Sequence, residues 1–271
     1  MLGVFDSGFG GLTILRKFQE LLPQYDYMFL GDNARAPYGS RSFETVYAYT
    51  LQAVRRLFDL GCPLVILACN TASAKALRTI QQNDLPRINP DNRVLGIIRP
   101  TAEVINNFTK TNHVGVLGTQ GTVNSQSYIL EIQKLYPEIR VYQQACPMLA
   151  ALVEAGEISN PGTDYFVKKY YQQLLSQSPD IDAVVLGCTH YPLLINSFHR
   201  AAGDASPVNF VQQNEIVAHS LADYLQRHPE MESRLTKGGR TIYYTTDTPE
   251  VFDKTAEVFL GHSISSHRIE L

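Results

Sequence analysis

Pro63-Leu-Val-Ile-Leu-Ala-Cys69-Asn-Thr-Ala-Ser73 and Asp182-Ala-Val-Val-Leu-Gly-Cys188-Thr-His-Tyr-Pro192 set two cysteines in near-matching surroundings in opposite halves of the chain. Each closes an apolar, β-branched run that reads as a parallel strand buried on both faces. Each is followed by small or hydroxyl residues that can open a helix. A thiol at that junction meets free backbone N–H groups and the positive end of a helix dipole. That setting is expected to lower its pKa from about 8.5 toward neutrality. Two such thiols facing each other across a cleft would form a pair of acid/base groups.

On either side of these runs, strand-like and helix-length segments alternate. Leu2–Phe5, Asp26–Leu30, Pro63–Ala68 and Arg93–Ile98 read as strands; Leu12–Leu22, Phe43–Leu60 and Thr71–Gln82 read as helices. This βαβ punctuation predicts a parallel sheet. The order then restarts: His113-Val-Gly-Val-Leu-Gly118 runs into Thr119-Gln-Gly-Thr122 and a helix over Ser127–Leu135, as Leu2-Gly-Val-Phe-Asp6 runs into Ser7-Gly-Phe-Gly10. Pairing Gly3 with Gly115 and Cys69 with Cys188 gives nearly equal offsets, which points to an internal duplication. The fold class is therefore α/β, with two pseudo-symmetric parallel-sheet lobes. A helix over Asn214–Arg227 and a strand after Gly238-Gly239 are expected to return to the first lobe. The expected division is a discontinuous first lobe, 1–96 with 208–271, and a second lobe, 97–207.

The chain has 271 residues, 44% apolar and 18% charged, with net charge −3. That composition suits a packed globular protein. The chain has no Lys/Arg-rich run, so neither a nucleic-acid nor a membrane partner is expected. No apolar stretch approaches the roughly 20 residues that span a bilayer. The N-terminus enters a strand at once, so no signal peptide is expected and a cytoplasmic protein with free thiols is. The four cysteines, Cys62, Cys69, Cys146 and Cys188, have no metal-site spacing, so no metal is expected.

Ligands of open parallel sheets bind beyond the strands' carboxyl ends. The residues there are Asp6-Ser7-Gly8, Gly31-Asp32, Cys69-Asn70-Thr71, Thr119–Thr122 and Cys188-Thr189-His190. They suit a small carboxylate-bearing ligand held by backbone N–H groups and hydroxyls. Each also has a plainer reading: Asp6 as a helix N-cap, His190 as a polar turn residue, Glu154 as a solvated helix-end acid. Cys62 and Cys146 lack the strand-end setting and read as small core residues. The turn Gly8-Phe-Gly10-Gly-Leu-Thr13, with Asp32 beyond it, also raises a dinucleotide site, although Thr13 stands where Gly or Ala is needed.

Together Asp6-Ser-Gly-Phe-Gly-Gly-Leu12, Gly31-Asp-Asn-Ala-Arg-Ala-Pro-Tyr-Gly39, Ala68-Cys-Asn-Thr-Ala72 and Gly187-Cys-Thr-His-Tyr-Pro-Leu193 resemble the glutamate racemases, of the cofactor-independent aspartate/glutamate racemase superfamily. The resemblance spans most of the chain. It implies an active site in the cleft between the lobes, with Cys69 and Cys188 as the two acid/base residues and Asp6, His190 and Glu154 assisting them. It implies substrate contacts from Asp6, Ser7, Pro37, Tyr38, Gly39, Asn70, Thr71, Thr119, Thr122 and Thr189. Glutamate as substrate, no cofactor, a homodimer, and D-glutamate supplied for peptidoglycan are the further expectations. Aspartate or hydantoin racemisation, and a two-lobed binding protein without catalysis, are the rival readings. Three places depart from the family pattern: Asn33 where Thr is common, Arg99 at a variable position, and Val211-Gln-Gln-Asn-Glu-Ile216 in place of an Asp-Ser-containing segment.

Overall fold

The computed structural model describes residues 1–203 and 206–271. Two wholly parallel sheets form its frame. The first has six strands in the order β10-β9-β2-β1-β3-β4: β1 (Leu2–Asp6), β2 (Tyr27–Gly31), β3 (Leu64–Leu67), β4 (Arg93–Gly96), β9 (Thr241–Thr245) and β10 (Ser266–Arg268). The second has four in the order β6-β5-β7-β8: β5 (His113–Gly118), β6 (Arg140–Ala145), β7 (Ala183–Gly187) and β8 (Asn209–Val211). β1, β3 and β7 are buried at every residue, because helices cover both faces of each sheet.

The helices that matter for the site are α1 (Leu12–Leu21), α2 (Phe43–Asp59), α3 (Asn70–Lys75), α4 (Ile98–Val104), α5 (Gln120–Ser125), α6 (Ser127–Leu135), α7 (Leu149–Glu154), α8 (Pro161–Leu175), α9 (Ile195–Ala202), α10 (Gln213–Arg227) and α11 (Pro249–Leu260). Their starts follow local chemistry. Ser42 caps α2 by accepting from Thr45 N at 3.2 Å, and Thr119 caps α5 by accepting from Thr122 N at 3.2 Å. Asn160 caps α8 by accepting from Thr163 N, with Pro161 at the first helical position. The continuous helix expected over Thr71–Gln82 is not continuous: α3 stops at Lys75, a short turn covers Leu77–Thr79, and Ile80–Asp84 is wound as a π-helix.

The largest buried cluster runs through both sheets, from Leu2, Val4 and Ile66 to Leu117, Val184 and Leu186, so the two halves share one apolar core. They also touch at the carboxyl ends of their strands. Thr13 Oγ1 donates to the carbonyl of Thr189 across 3.1 Å. A Cβ at Gly10 would lie 2.2 Å from Thr189 Oγ1 and 2.5 Å from His190 Nδ1. Only a residue without a side chain allows this approach. Gly10→Ala should therefore wedge the halves apart. Its thermal midpoint should fall by roughly 3–10 °C in a melting experiment; an unchanged midpoint would show that the contact is soft.

Candidate active site

Cys69 follows β3 and occupies the N-cap of α3, where its Sγ accepts from Ala72 N at 3.5 Å. Ser7 Oγ lies 3.3 Å from the same sulfur, delivered by the loop after β1. Asp6, at the end of β1, is buried and accepts from Gly8 N at 2.9 Å. It does not cap α1, whose N-cap Gly11 has no side-chain partner. Burial pushes the Asp6 carboxyl up, against opposing help from His190 and the backbone N–H groups of Gly8 and Gly11.

Cys188 sits at the corresponding end of β7, and Cys188 Sγ lies 3.6 Å from His190 Nδ1. The other ring nitrogen, Nε2, is 2.8 Å from Glu154 Oε1 at the last residue of α7. Cys188, His190 and Glu154 thus form one hydrogen-bonded line. Burial alone would lower the His190 pKa. Its bonds to Cys188 and Glu154, and the charges of those groups, outweigh burial and hold the imidazolium well above its usual range. Phe259 of α11 packs edge-on against the imidazole, with ring centroids 5.5 Å apart.

The expected lowering of the thiol pKa is not found at Cys69, which is pushed up to about 12. Burial is the main cause and the Asp6 charge the next, while Ser7 and the Ala72 N–H work against them. One N–H at the start of a six-residue helix is too weak to offset the loss of water. Cys69 is thus a protonated thiol at neutral pH. Each of the two sulfur-bearing residues is only 6% exposed.

A line of hydroxyls joins the starts of α3 and α5. Thr71 Oγ1 is 2.9 Å from Thr119 Oγ1, which is 3.1 Å from Thr122 Oγ1. Gly39 lies against Thr119, and its carbonyl accepts from Gly121 N at 2.7 Å. These contacts bring the Pro37-Tyr38-Gly39 turn to the N-terminus of α5. The Tyr38 hydroxyl donates to Asp32, and its ring is buried in the same apolar cluster as Cys69. Pro37 is exposed. Thr189 contributes Oγ1 beside Gly10. Asn70 turns its side chain into the contact between the halves, where it bonds Gln213 and Tyr128. Neither of these two partners was singled out in the sequence; the one signal was the departure at Val211–Ile216.

Asp32 cannot serve a ribose. Arg35, Tyr38 and Thr246 occupy its oxygens, so the dinucleotide reading falls. Asn33 accepts from Thr245 Oγ1 at 3.0 Å, and Arg99 pairs with Glu103 at 2.8 Å; neither touches a thiol. A cavity of about 750 Å3 opens beside Ser73, Arg78, Arg99 and Glu131, but neither thiol lines it. Among the described residues no group of three or more His, Cys, Asp and Glu side chains could hold a metal ion.

Residues 10–221 match the Asp/Glu/Hydantoin racemase family, and the chain belongs to that family. It is 38% identical to a glutamate racemase of Roseobacter denitrificans over 97% of each chain. Among solved structures it is similar to glutamate racemase isoform RacE1 of Bacillus anthracis, at TM-score 0.89 and 33% identity over 100% of this chain and 97% of that one. It is also similar to glutamate racemase of Francisella tularensis in complex with D-glutamate, at TM-score 0.86 and 32% identity over 99% and 97%.

The buried Asp6 carboxyl generates a stability prediction. Its folded pKa lies above the ordinary carboxyl range. Folding is therefore weakened as pH rises from the unfolded pKa to the folded one, and by a constant amount beyond. Asp6→Asn removes that charge and keeps an oxygen for Gly8 N. At pH 8 it should be more stable than the parent by on the order of 1 kcal/mol in urea denaturation. The gain should vanish below about pH 4. A less stable variant at pH 8 would show that Asp6 is not a strained charge.

Proposed function

We infer that the chain interconverts L- and D-glutamate without a cofactor, using Cys69 and Cys188 as acid/base groups on opposite faces of Cα. The carrying observation is the pair of buried thiols at equivalent strand ends, each with its own polar partners. The similarity to an enzyme solved with D-glutamate supports the substrate. The product would feed peptidoglycan synthesis, and so cell-wall building and cell shape. The enzyme is proposed to work in the cytoplasm as a homodimer; among the described residues no helix is long and apolar enough to cross a membrane. The lobes are proposed to comprise 1–96 with 208–271, and 97–207, with β8 lent across to the second sheet.

Racemisation removes the α-hydrogen from one face and delivers a proton to the other. With L-glutamate bound, Cys188 takes the proton from Cα and Cys69 gives its own to the opposite face. The reaction leaves a thiol at 188 and a thiolate at 69; D-glutamate reverses these roles. The high pKa of Cys69 suits it to wait as the donor. His190, held by Glu154, donates to the Cys188 sulfur and steadies its negative charge. Asp6 and Ser7 stand beside Cys69 to take up or relay its proton when the direction reverses. As the proton leaves, the substrate carboxylate gains charge. Thr71, Thr119, Thr122, Thr189 and the first N–H groups of α3 and α5, including that of Asn70, meet it. Pro37, Tyr38 and Gly39 contribute the rim, through backbone rather than the Tyr38 hydroxyl. Because both thiols are almost wholly covered, glutamate enters by a parting of the lobes, and their closure excludes water.

Circular dichroism should show L-glutamate losing its optical activity with no cofactor added. Cys69→Ser and Cys188→Ser should each lower this rate by at least about 1,000-fold while remaining folded. In deuterated water, early D-glutamate from the parent enzyme should carry deuterium at Cα while remaining L-glutamate stays protonated. Early product that retains the substrate's own α-hydrogen would overturn the two-thiol mechanism. Faster turnover of aspartate, or binding without turnover, would replace the glutamate reading.

A further inference from the structure

A closed hydrogen-bond ring lies directly behind Cys69. Asn70 Nδ2 donates to Gln213 Oε1 at 2.7 Å. Gln213 Nε2 donates to Tyr128 Oη at 2.6 Å. Tyr128 Oη donates to Asn70 Oδ1 at 2.7 Å. Tyr128 is 0% exposed, and Asn70 and Gln213 are each 2% exposed. Gln213 also donates to Thr101 Oγ1 at 2.9 Å and reaches the carbonyl of Ile97 at 3.3 Å.

The ring joins three elements: α3 of the first lobe, α6 of the second, and α10, which connects them. Every donor is followed by an acceptor around the cycle, so each bond polarises the next. Removing one member leaves a buried polar atom without a partner. Asn70 is the first helical residue of α3 and the chain neighbour of Cys69. With six residues, α3 is too short to orient itself. Ser73 ties its first turn to β3, through the carbonyl of Leu67 at 2.8 Å. That bond acts within one lobe. The tie from Thr71 to Thr119 does cross, but both of those hydroxyls belong to the proposed ligand set. The ring is thus a crossing tie at the Cys69 end that is independent of the ligand.

We propose that Tyr128 and Gln213 are positioning residues for Cys69, acting through the Asn70 ring to hold that thiol at a set distance from the second lobe. No hydrogen bond joins the ring to Cys188, whose line runs through His190 and Glu154, although the Tyr128 ring packs beside Gly187, the residue before Cys188. A defect in the ring should therefore be felt more on the Cys69 face of Cα than on the other. The inference rests on the two-thiol reading, and its test carries a control for that reading.

Tyr128→Phe and Gln213→Met each remove two of the ring's three hydrogen bonds at nearly constant volume. Each should lower kcat for racemisation by about 10- to 100-fold, with a smaller change in KM, because a displaced thiol misses Cα. The discriminating readout is exchange of the α-hydrogen for deuterium without inversion, measured in Cys69→Ser and Cys188→Ser backgrounds, where conversion is blocked and one thiol remains. Cys69→Ser identifies the enantiomer that Cys69 serves, as the one whose exchange it abolishes. Added to these backgrounds, Tyr128→Phe and Gln213→Met should slow exchange of that same enantiomer more than exchange of the other. The double variant should lose no more than the worse single one, since the ring fails as a unit. Equal slowing of both enantiomers, unchanged kcat, or loss of the fold in both single variants would overturn the proposal. If Cys69→Ser itself exchanges both enantiomers normally, the two-thiol reading fails instead.

Discussion

Parallel pairing of β1 with β3, and of β5 with β7, is the constraint from which the site follows. In register, Phe5 pairs with Leu67 and Gly118 with Gly187. All strands of each sheet point the same way, so their loops emerge together at one edge. Asp6 and Cys69 therefore become neighbours although the chain between them is long, and Thr119 and Cys188 line the corresponding edge of the other sheet. The pairing is itself held by apolar strands that helices must cover on both faces. The chemistry sits where those strands end because the backbone there turns toward helix starts and has N–H groups to spare.

Burial then sets the character of the groups. The two halves share one core and close over the strand ends, and the loss of water governs the acid/base behaviour more than any single hydrogen bond. Asp6 and Cys69 are both raised chiefly by desolvation. His190 escapes the same fate because each ring nitrogen has a hydrogen-bond partner, Cys188 on one and Glu154 on the other. The two thiols are therefore unequal in the free protein. One is kept protonated beside a carboxyl; the other is kept beside an imidazolium. A reaction that runs in both directions needs groups that can exchange these states, and both sides carry a second titratable residue with which to do so.

Closeness is achieved with small residues. Gly10 lets the first loop rest on Thr189 and His190, and Gly39 lets a second turn rest on Thr119. Hydroxyls and amides join the halves around the site. Thr13 to Thr189, Thr71 to Thr119, and the Asn70–Tyr128–Gln213 ring are all neutral contacts. Neutral contacts leave the local field to the few charges that do the chemistry, and they form and part at lower desolvation cost than ion pairs.

Much of this was legible in the residues. Apolar β-branched runs at regular spacing determine buried parallel strands, because no other element hides such a run on both faces. Cysteine at two strand ends, with Asp-Ser-Gly and Cys-Thr-His beside them, determined where the chemistry would be sought. Three things were decided only by tertiary structure. The Cys69 pKa rises rather than falls, because burial depends on how the lobes close and not on the residues next in sequence. The Tyr38 and Asp32 side chains turn to each other. The partners of Asn70, Tyr128 and Gln213, come from distant segments with no local signal of contact, since hydrogen-bond geometry between elements is set by packing and not by periodicity.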